Sequence, residues 1–336
     1  MKKLTVKEIA KMAGVSVTAV SFVINNKPGV SEQTREKIQK IIDETGFKPN
    51  INSRKLLFNK SFSISLMINS SSSPFDDLFY FEITRGIVNR SRKYHYNISI
   101  AKPSVSRNEL PDSVYSGDTD GIIFMQDANE QLMYKAIESD IPCIVVDSHS
   151  PNEKVTSIMP DYRRASYDAT KYLIEHGHRD IAMISSKTVP AFYKDTREGF
   201  KMAMKEYGIT PDASFYSATA TNEDTAYETA KKLLTSDKVP TAIFCTVDIF
   251  AIGAMRCAKD LNLSIPKDIS FIGIDDILLS RYIEPKLTTV GIDKVEMGVM
   301  AMDMLQQKIK GKKTESVLLP MELIERDSVY NLTDKQ

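Results

Sequence analysis

The sequence predicts an α/β protein: a small all-helical head followed by a larger body of two doubly wound, parallel-sheet lobes. Three observations carry this. Residues 5–45 hold capped stretches whose apolar residues recur at helical spacing. From Ser61 onward, apolar runs of strand length alternate with amphipathic helical stretches, the pattern of parallel sheets covered on both faces. The strands number about ten, too many for one small sheet.

The head begins with a T-x-x-E capping box at Thr5 and Glu8. Ile9, Ala10 and Ala13 give that helix a short apolar face, and Gly14 ends it where a left-handed backbone is needed. Ser16 caps a second helix, on which Val17, Val20, Val23 and Ile24 recur at helical spacing. Small Ala10 lets the two helices cross closely, so residues 5–24 read as a helix-turn-helix. Asn25 to Gly29 form a loop. Ser31 caps a third helix that reaches about Thr45, faces Ile38, Ile41 and Ile42 inward, and ends at Gly46. The strand candidates of the body are Ser63–Ile68, Asn97–Ala101, Gly121–Met125, Cys143–Val146, Ile181–Ile184, Ala242–Cys245, Ile269–Ile274 and, late in the chain, Ser316–Leu319. Helices are expected at Glu82–Lys93, Gln131–Glu138, Arg163–His176, Arg197–Tyr207, Glu223–Thr235 and Ile249–Leu261, with another in Val290–Lys310. The lobes are expected to break near Met159–Tyr162.

The 336 residues carry no net charge, but the halves differ. Residues 1–60 hold 12 Lys/Arg and 5 Asp/Glu, leaving 32 and 39 in the other 276. A basic head on an acidic body suits a polyanionic partner for the head alone. Cys143, Cys245 and Cys257 are odd in number and form no C-x-x-C, which argues for buried thiols rather than a zinc site or disulfide framework. The N-terminus lacks a signal-peptide core, and no apolar run approaches the roughly 18 residues of a membrane span. A cytoplasmic protein with no membrane partner is therefore expected.

Across nearly its whole length the chain resembles the lactose-repressor (LacI/GalR) family of bacterial transcription regulators. The likeness rests on Thr5–Asn26, Val30–Lys37 and Gly46–Asn50 in the head. In the body it rests on Gly121–Ile123, Ile141–Asp147, Leu173–Arg179, Arg197–Phe200, Pro240–Phe244, Ile265–Ser270, Gly273–Asp276 and Leu287–Val290. The resemblance implies a headpiece at 1–49, a hinge at 50–60, and an effector-binding and dimerisation domain at 61–336 similar to periplasmic sugar-binding proteins. The N-lobe would take about 61–160 and 291–320, and the C-lobe about 161–290 and 321–336. It further implies a homodimer on near-palindromic operator DNA, controlled by a small sugar-like effector in the cleft. A phosphocarrier protein serves some relatives as corepressor and is an alternative controlling partner.

At the start of the second helix, Val17, Thr18 and Phe22 are the base-reading candidates. Thr18 donates or accepts; Val17 and Phe22 offer apolar contact, for instance to a thymine methyl. Many relatives carry Arg where Phe22 stands, and Phe22 either meets a base or packs inside the headpiece. Ser16, Ser21, Asn25, Ser31 and Thr34 match phosphate contacts of the family, which position without reading sequence. Thr5 is counted with the DNA-facing residues. Leu56 matches a hinge leucine wedged into the minor groove, flanked by Asn50 and Arg54; such a short segment is not helical alone in water.

For the cleft, Asp147, Asp248 and Asp275 stand at or just after strand C-termini, where open α/β sheets bind ligands. Arg197 offers a planar fork of donors. The resemblance implies that Arg197, Asp248 and Asp275 line the cleft. Phe75 or Phe79 either stacks on a ligand ring or packs in the core, and Phe192 or Tyr193 is a further stacking candidate. Val247, Thr219–Thr221 and Gly291-Ile292 depart from the polar or aromatic residues of common sugar binders. His176 and His178 lie at a helix end, where cations favour the dipole, and not at metal spacing. No cofactor, metal or catalytic residue is implied. An α/β enzyme is the remote alternative, since no G-x-G-x-x-G, P-loop or G-x-S-x-G is present.

Overall fold

A computed structural model describes residues 4–24, 27–47, 60–68, 75, 77–101, 109–125, 129–148 and 154–335. The chain forms two compact units, Met1–Phe62 and Ser63–Gln336.

In the first unit, α1 (Val6–Ala13), α2 (Val17–Ile24) and α3 (Glu32–Thr45) pack around Ile9, Ala10, Ala13, Val20, Val23, Ile38 and Phe47. The caps are those the side chains dictate. The Thr5 hydroxyl accepts from the Glu8 amide, and the Glu8 carboxylate accepts in return from the Thr5 amide at 2.6 Å. Gly14 and Gly46 take left-handed backbones, φ 65° and 61°, that close α1 and α3.

The second unit contains two six-stranded sheets. The first has the order β11-β5-β4-β3-β1-β2, all parallel, with β1 Ser63–Met67, β2 Asn97–Ala101, β3 Gly121–Met125, β4 Cys143–Val146, β5 Thr156–Pro160 and β11 Val317–Leu319. The second has the order β12-β10-β9-β8-β6-β7, with β6 Ile181–Ile184, β7 Tyr216–Ser217, β8 Ala242–Cys245, β9 Ser270–Asp275, β10 Thr288–Gly291 and β12 Glu322–Ile324. Among the described strand pairs of this sheet, only β10–β12 is antiparallel. Central strands such as Gly121–Met125 are buried at every position, as sheets covered on both faces require.

Helices α4 (Leu78–Lys93) and α11 (Lys294–Ile309) cover one face of the first sheet; the short α5 (Asp112–Tyr115) and α6 (Glu130–Glu138) cover the other. On the second sheet, α7 (Tyr162–Glu175) and α8 (Pro190–Glu206) face α9 (Glu223–Leu234) and α10 (Asp248–Asp260) across the strands. The chain passes between the lobes three times: from β5 to α7, from β10 to α11, and from β11 to β12.

Several elements depart from the sequence reading. β5, β7 and β12 lack the apolar runs that mark the central strands, because they are short or lie toward sheet edges. The expected helix over Val290–Lys310 divides into the end of β10 and α11. Helix α4 begins four residues before Glu82, capped by Asp77, whose carboxylate accepts from the Phe79 amide at 2.8 Å. Helix α8 begins seven residues before Arg197, with Pro190 at its start. The three cysteines are buried free thiols. No described helix is long and apolar enough to cross a membrane.

Candidate functional site

The first candidate surface is the N-terminal edge of α2. Ser16, Val17 and Thr18 are exposed there, Val17 with 45 % of its surface in solvent. The Ser16 hydroxyl accepts from the Ala19 amide at 3.1 Å, so it caps α2 while remaining at the surface. The Ser31 hydroxyl lies 2.9 Å from that of Thr34 and caps α3. Thr5 is spent on its capping box, and Ser21 is half-buried. Phe22 is half-buried with its ring edge against Gly29; a Cβ there would stand 3.0 Å from the ring. Of its two sequence readings, packing is the one this contact favours. Asn25, Asn50, Arg54 and Leu56 lie outside the described residues.

The second candidate is a cavity of about 460 Å³ at the C-terminal ends of the strands, with walls from both lobes. The first lobe contributes Asp77, Phe79 and Tyr80 from the start of α4, and Asp147 and Ser148 after β4. The second lobe contributes Tyr162, Phe192, Phe250 and Asp275, with the hydroxyls of Ser186, Thr188 and Thr221. Both carboxylates at the strand ends sit on backbones that L-residues seldom adopt: φ is 57° at Asp147 and 119° at Asp275. Strain of this kind persists where surrounding structure enforces it, commonly at ligand sites.

Asp147 is held by two phenols, one from each lobe. Tyr80 donates to one oxygen at 2.5 Å and Tyr162 to the other at 2.6 Å. Burial and the Asp147 charge keep both phenols protonated, well above the usual tyrosine range. Phe192 meets Tyr162 edge-on at 4.6 Å. Asp275 is only 7 % exposed; burial pushes its carboxyl well above the usual range, Asp248, Asp77 and Asp147 push it the same way, and Lys294 pulls against them. The Lys294 ammonium itself donates to the backbone oxygens of Asp275 at 2.5 Å and Asp276 at 2.8 Å, and pairs with Glu82 at 3.6 Å. It thereby ties the end of β9 to α4 and α11 of the other lobe.

Four of the seven expected cleft residues line the cavity: Phe79, Asp147, Phe192 and Asp275. Three do not. Arg197 is exposed on α8; it stands five residues after Phe192, about 140° around the helix axis, so the two cannot share a face. Thr196 takes the inward position and donates to the Phe192 carbonyl at 2.9 Å. Asp248 is wholly buried behind the cleft wall, where it accepts from the Ile277 amide (3.0 Å), Ser280 (2.6 Å) and Thr289 (2.5 Å); its neighbours Val247 and Ile249 face the cavity instead. Phe75 is 56 % exposed and outside the lining. Tyr193, the alternative stacking candidate, is likewise outside the lining. Sequence reasoning missed Asp77, Tyr80 and Tyr162. The signal available was the Asp at a helix N-cap, hidden because α4 was started too late.

A second, more open crevice of about 750 Å³ lies along the β10–α11 and β11–β12 passages, with Asp276 on its wall bound to both Arg281 and Arg326. Among the described residues no group of three or more His, Cys, Asp or Glu side chains is placed to hold a metal ion.

A capped helix-turn-helix joined to a two-lobed body with a cleft walled by both lobes defines a class, the DNA-binding regulator with a periplasmic-binding-protein-like body. Residues 5–50 match the model of bacterial regulatory proteins of the lacI family, and residues 170–329 that of the periplasmic binding protein-like domain. The chain is 32 % identical to the HTH-type transcriptional repressor PurR of Histophilus somni, over 98 % of this chain and 99 % of that one. Its fold matches the transcriptional regulator CelR in complex with cellobiose (TM-score 0.71, 25 % identity, 97 % and 99 % of the two chains). It also matches the lac repressor dimer bound to operator and the anti-inducer ONPF (TM-score 0.83, 24 % identity, 98 % and 100 %). The chain belongs to the lacI family of bacterial regulatory proteins, and it is a DNA-binding transcriptional repressor of that family.

Proposed function

We propose that this chain is a cytoplasmic, homodimeric repressor that binds a near-palindromic operator, and whose DNA affinity is set by a sugar or sugar derivative in the interlobe cleft. The observation that carries the reading is the union, in one chain, of an exposed α2 edge at Ser16–Thr18 with a cavity walled by both lobes. Residues 1–49 act as the headpiece, 50–60 as the hinge, and 61–336 as the sensing and dimerising body. Thr18 and Val17 read base edges, and Ser16, Ser21, Ser31 and Thr34 contact phosphates. The cellobiose held by CelR supports a sugar-like ligand here. Aromatic rings and hydroxyls supply what a sugar needs: flat apolar faces for stacking and short donors and acceptors for its hydroxyls.

The Asp147 clasp supports a closure mechanism. Tyr80 and Tyr162 come from opposite lobes and meet on one carboxylate, so a ligand that displaces or completes this bridge changes the angle between lobes. Catalysis is not assigned to the cleft: Asp147 is occupied by two phenols that burial keeps protonated, and Asp248 is sealed behind the wall.

Selection of genomic fragments by the purified full-length chain, with and without a library of sugars and sugar derivatives, tests the proposal. One or a few near-palindromic fragments are expected to be enriched at moderate salt, and at least one compound to change their affinity. Equal retention of all fragments as random DNA, under every condition, overturns it.

A further inference from the structure

The interlobe cleft has a charge that neither its size nor its apolar walls require. Its described lining includes the carboxylates of Asp77, Asp147 and Asp275, and neither Lys nor Arg. Asp275 is the informative member. It is more than nine-tenths buried, it faces the cavity, and no described donor reaches its carboxylate. Lys294, the nearest cation, is spent on the backbone oxygens of Asp275 and Asp276 and on Glu82. Asp276, next in the chain, is saturated by Arg281 and Arg326. The other groups acting on Asp275 are Asp248, Asp77 and Asp147, all acidic. An ionised carboxylate buried without a partner is costly, so this side chain either keeps a proton or receives a positive charge from outside.

We propose that the cleft selects a ring-sized polyol bearing a protonated amine, an amino-sugar class of ligand, whose ammonium pairs with the Asp275 carboxylate. This rests on the cleft being the effector site. Phe79, Phe192 and Phe250 line the cleft and give it apolar aromatic surface against which the sugar ring packs. Ser186 and Thr188 supply partners for hydroxyls. Anionic sugars find no Lys or Arg in the described lining and meet the acidic side chains of Asp77 and Asp147 instead. Binding is linked to protons: the empty site favours protonated Asp275, and the ammonium favours the carboxylate, so binding releases a proton. Affinity for the amine therefore rises with pH until the amine itself loses its proton.

Calorimetry on the full-length chain uses three matched sets: glucosamine, galactosamine and mannosamine; glucose, galactose and mannose; glucuronate and galacturonate. At least one amine is expected to bind about tenfold or more tightly than its neutral counterpart. The uronates are expected not to bind. In Asp275→Asn, checked for folding by circular dichroism, the amine preference disappears. The wild-type protein supplies a second reading: affinity for the amine climbs with pH as long as the amine stays protonated, with buffer-dependent heat marking the released proton. Neutral sugars binding as tightly, uronates binding, or an amine preference surviving in Asp275→Asn overturns the charge assignment while leaving the cleft as the effector site. Failure of every compound in the three sets also overturns it; the broader reading then stands or falls on the fragment selection described above.

Discussion

His178 and Asp248 respond to acid in opposite ways. His178 is 1 % exposed, between Thr241 and the Tyr330 carbonyl, and burial lowers its pKa to about 4. The unfolded chain takes up that proton near pH 6.5, so the contribution of neutral His178 is lost as pH falls from there toward 4. Asp248 runs the other way: burial raises its carboxyl to about 6, against the hydrogen bonds from Ser280, Thr289 and Ile277. Its folded form gains a proton before the unfolded form does, which favours folding as pH falls from about 6 toward 3.8. Each effect is of order 3 kcal/mol, and in this window they offset. His178→Gln is therefore expected to become relatively more stable on acidification from pH 7 to about 4.5, and Asp248→Asn relatively less. Urea midpoints at the two pH values check this; parallel shifts for both variants contradict it. Neither role was legible beforehand. His178 sits at a helix end as the sequence indicated, but its burial comes from the C-terminal segment, 152 residues away.

At the scale of elements, the joints between helices rest on absent side chains. A Cβ on Gly86 of α4 would stand 2.1 Å from the Val295 carbonyl oxygen of α11, and one on Gly298 of α11 the same distance from the Ile83 carbonyl of α4. The two helices cross backbone to backbone at reciprocal glycines, 212 residues apart in sequence. Gly298→Ala must push the pair apart and is expected to cost about 2–3 kcal/mol or more, read as a lowered melting temperature with little change in helix content. A stable Gly298→Ala would place the joint elsewhere. The central strands were readable because burial on both faces leaves continuous apolar runs, as in Ile181–Ile184 and Ala242–Cys245. The start of α8 was not; with the helix beginning at Pro190, Phe192 lines the cavity while Arg197, expected there from the resemblance, lies outside the lining. A helix beginning changes which face every later residue presents, and periodicity alone locates beginnings poorly.

Taken whole, the body exposes a compact apolar edge after β9. Leu278, Leu279 and Tyr282 keep 49 %, 41 % and 78 % of their surface in solvent. If the chain is the homodimer proposed above, this edge is the expected seat for the second copy, and two headpieces on one palindrome would gain from being linked. Tyr282→Asp is expected to shift the sedimentation profile from dimer to monomer and to weaken binding to the selected operator fragment about a hundredfold or more. An unchanged dimer removes this edge as the contact. Nothing local in a sequence distinguishes exposed apolar residues such as Leu278, Leu279 and Tyr282 from apolar residues that enter the core.

The amino-acid order alone determined the helix-turn-helix, the strand–helix alternation, the basic head on an acidic body and the kinship these carry. All are set by neighbours within a few residues or by composition. Which carboxylates face the cavity was decided only by the tertiary structure. Asp147, Asp248 and Asp275 occupy equivalent places at strand or helix ends, yet Asp248 turns inward to Ser280 and Thr289 while the others face the cavity. The difference is made by donors that arrive from β10 and from the segment after β9, and the chain brings those together only when the sheet is complete.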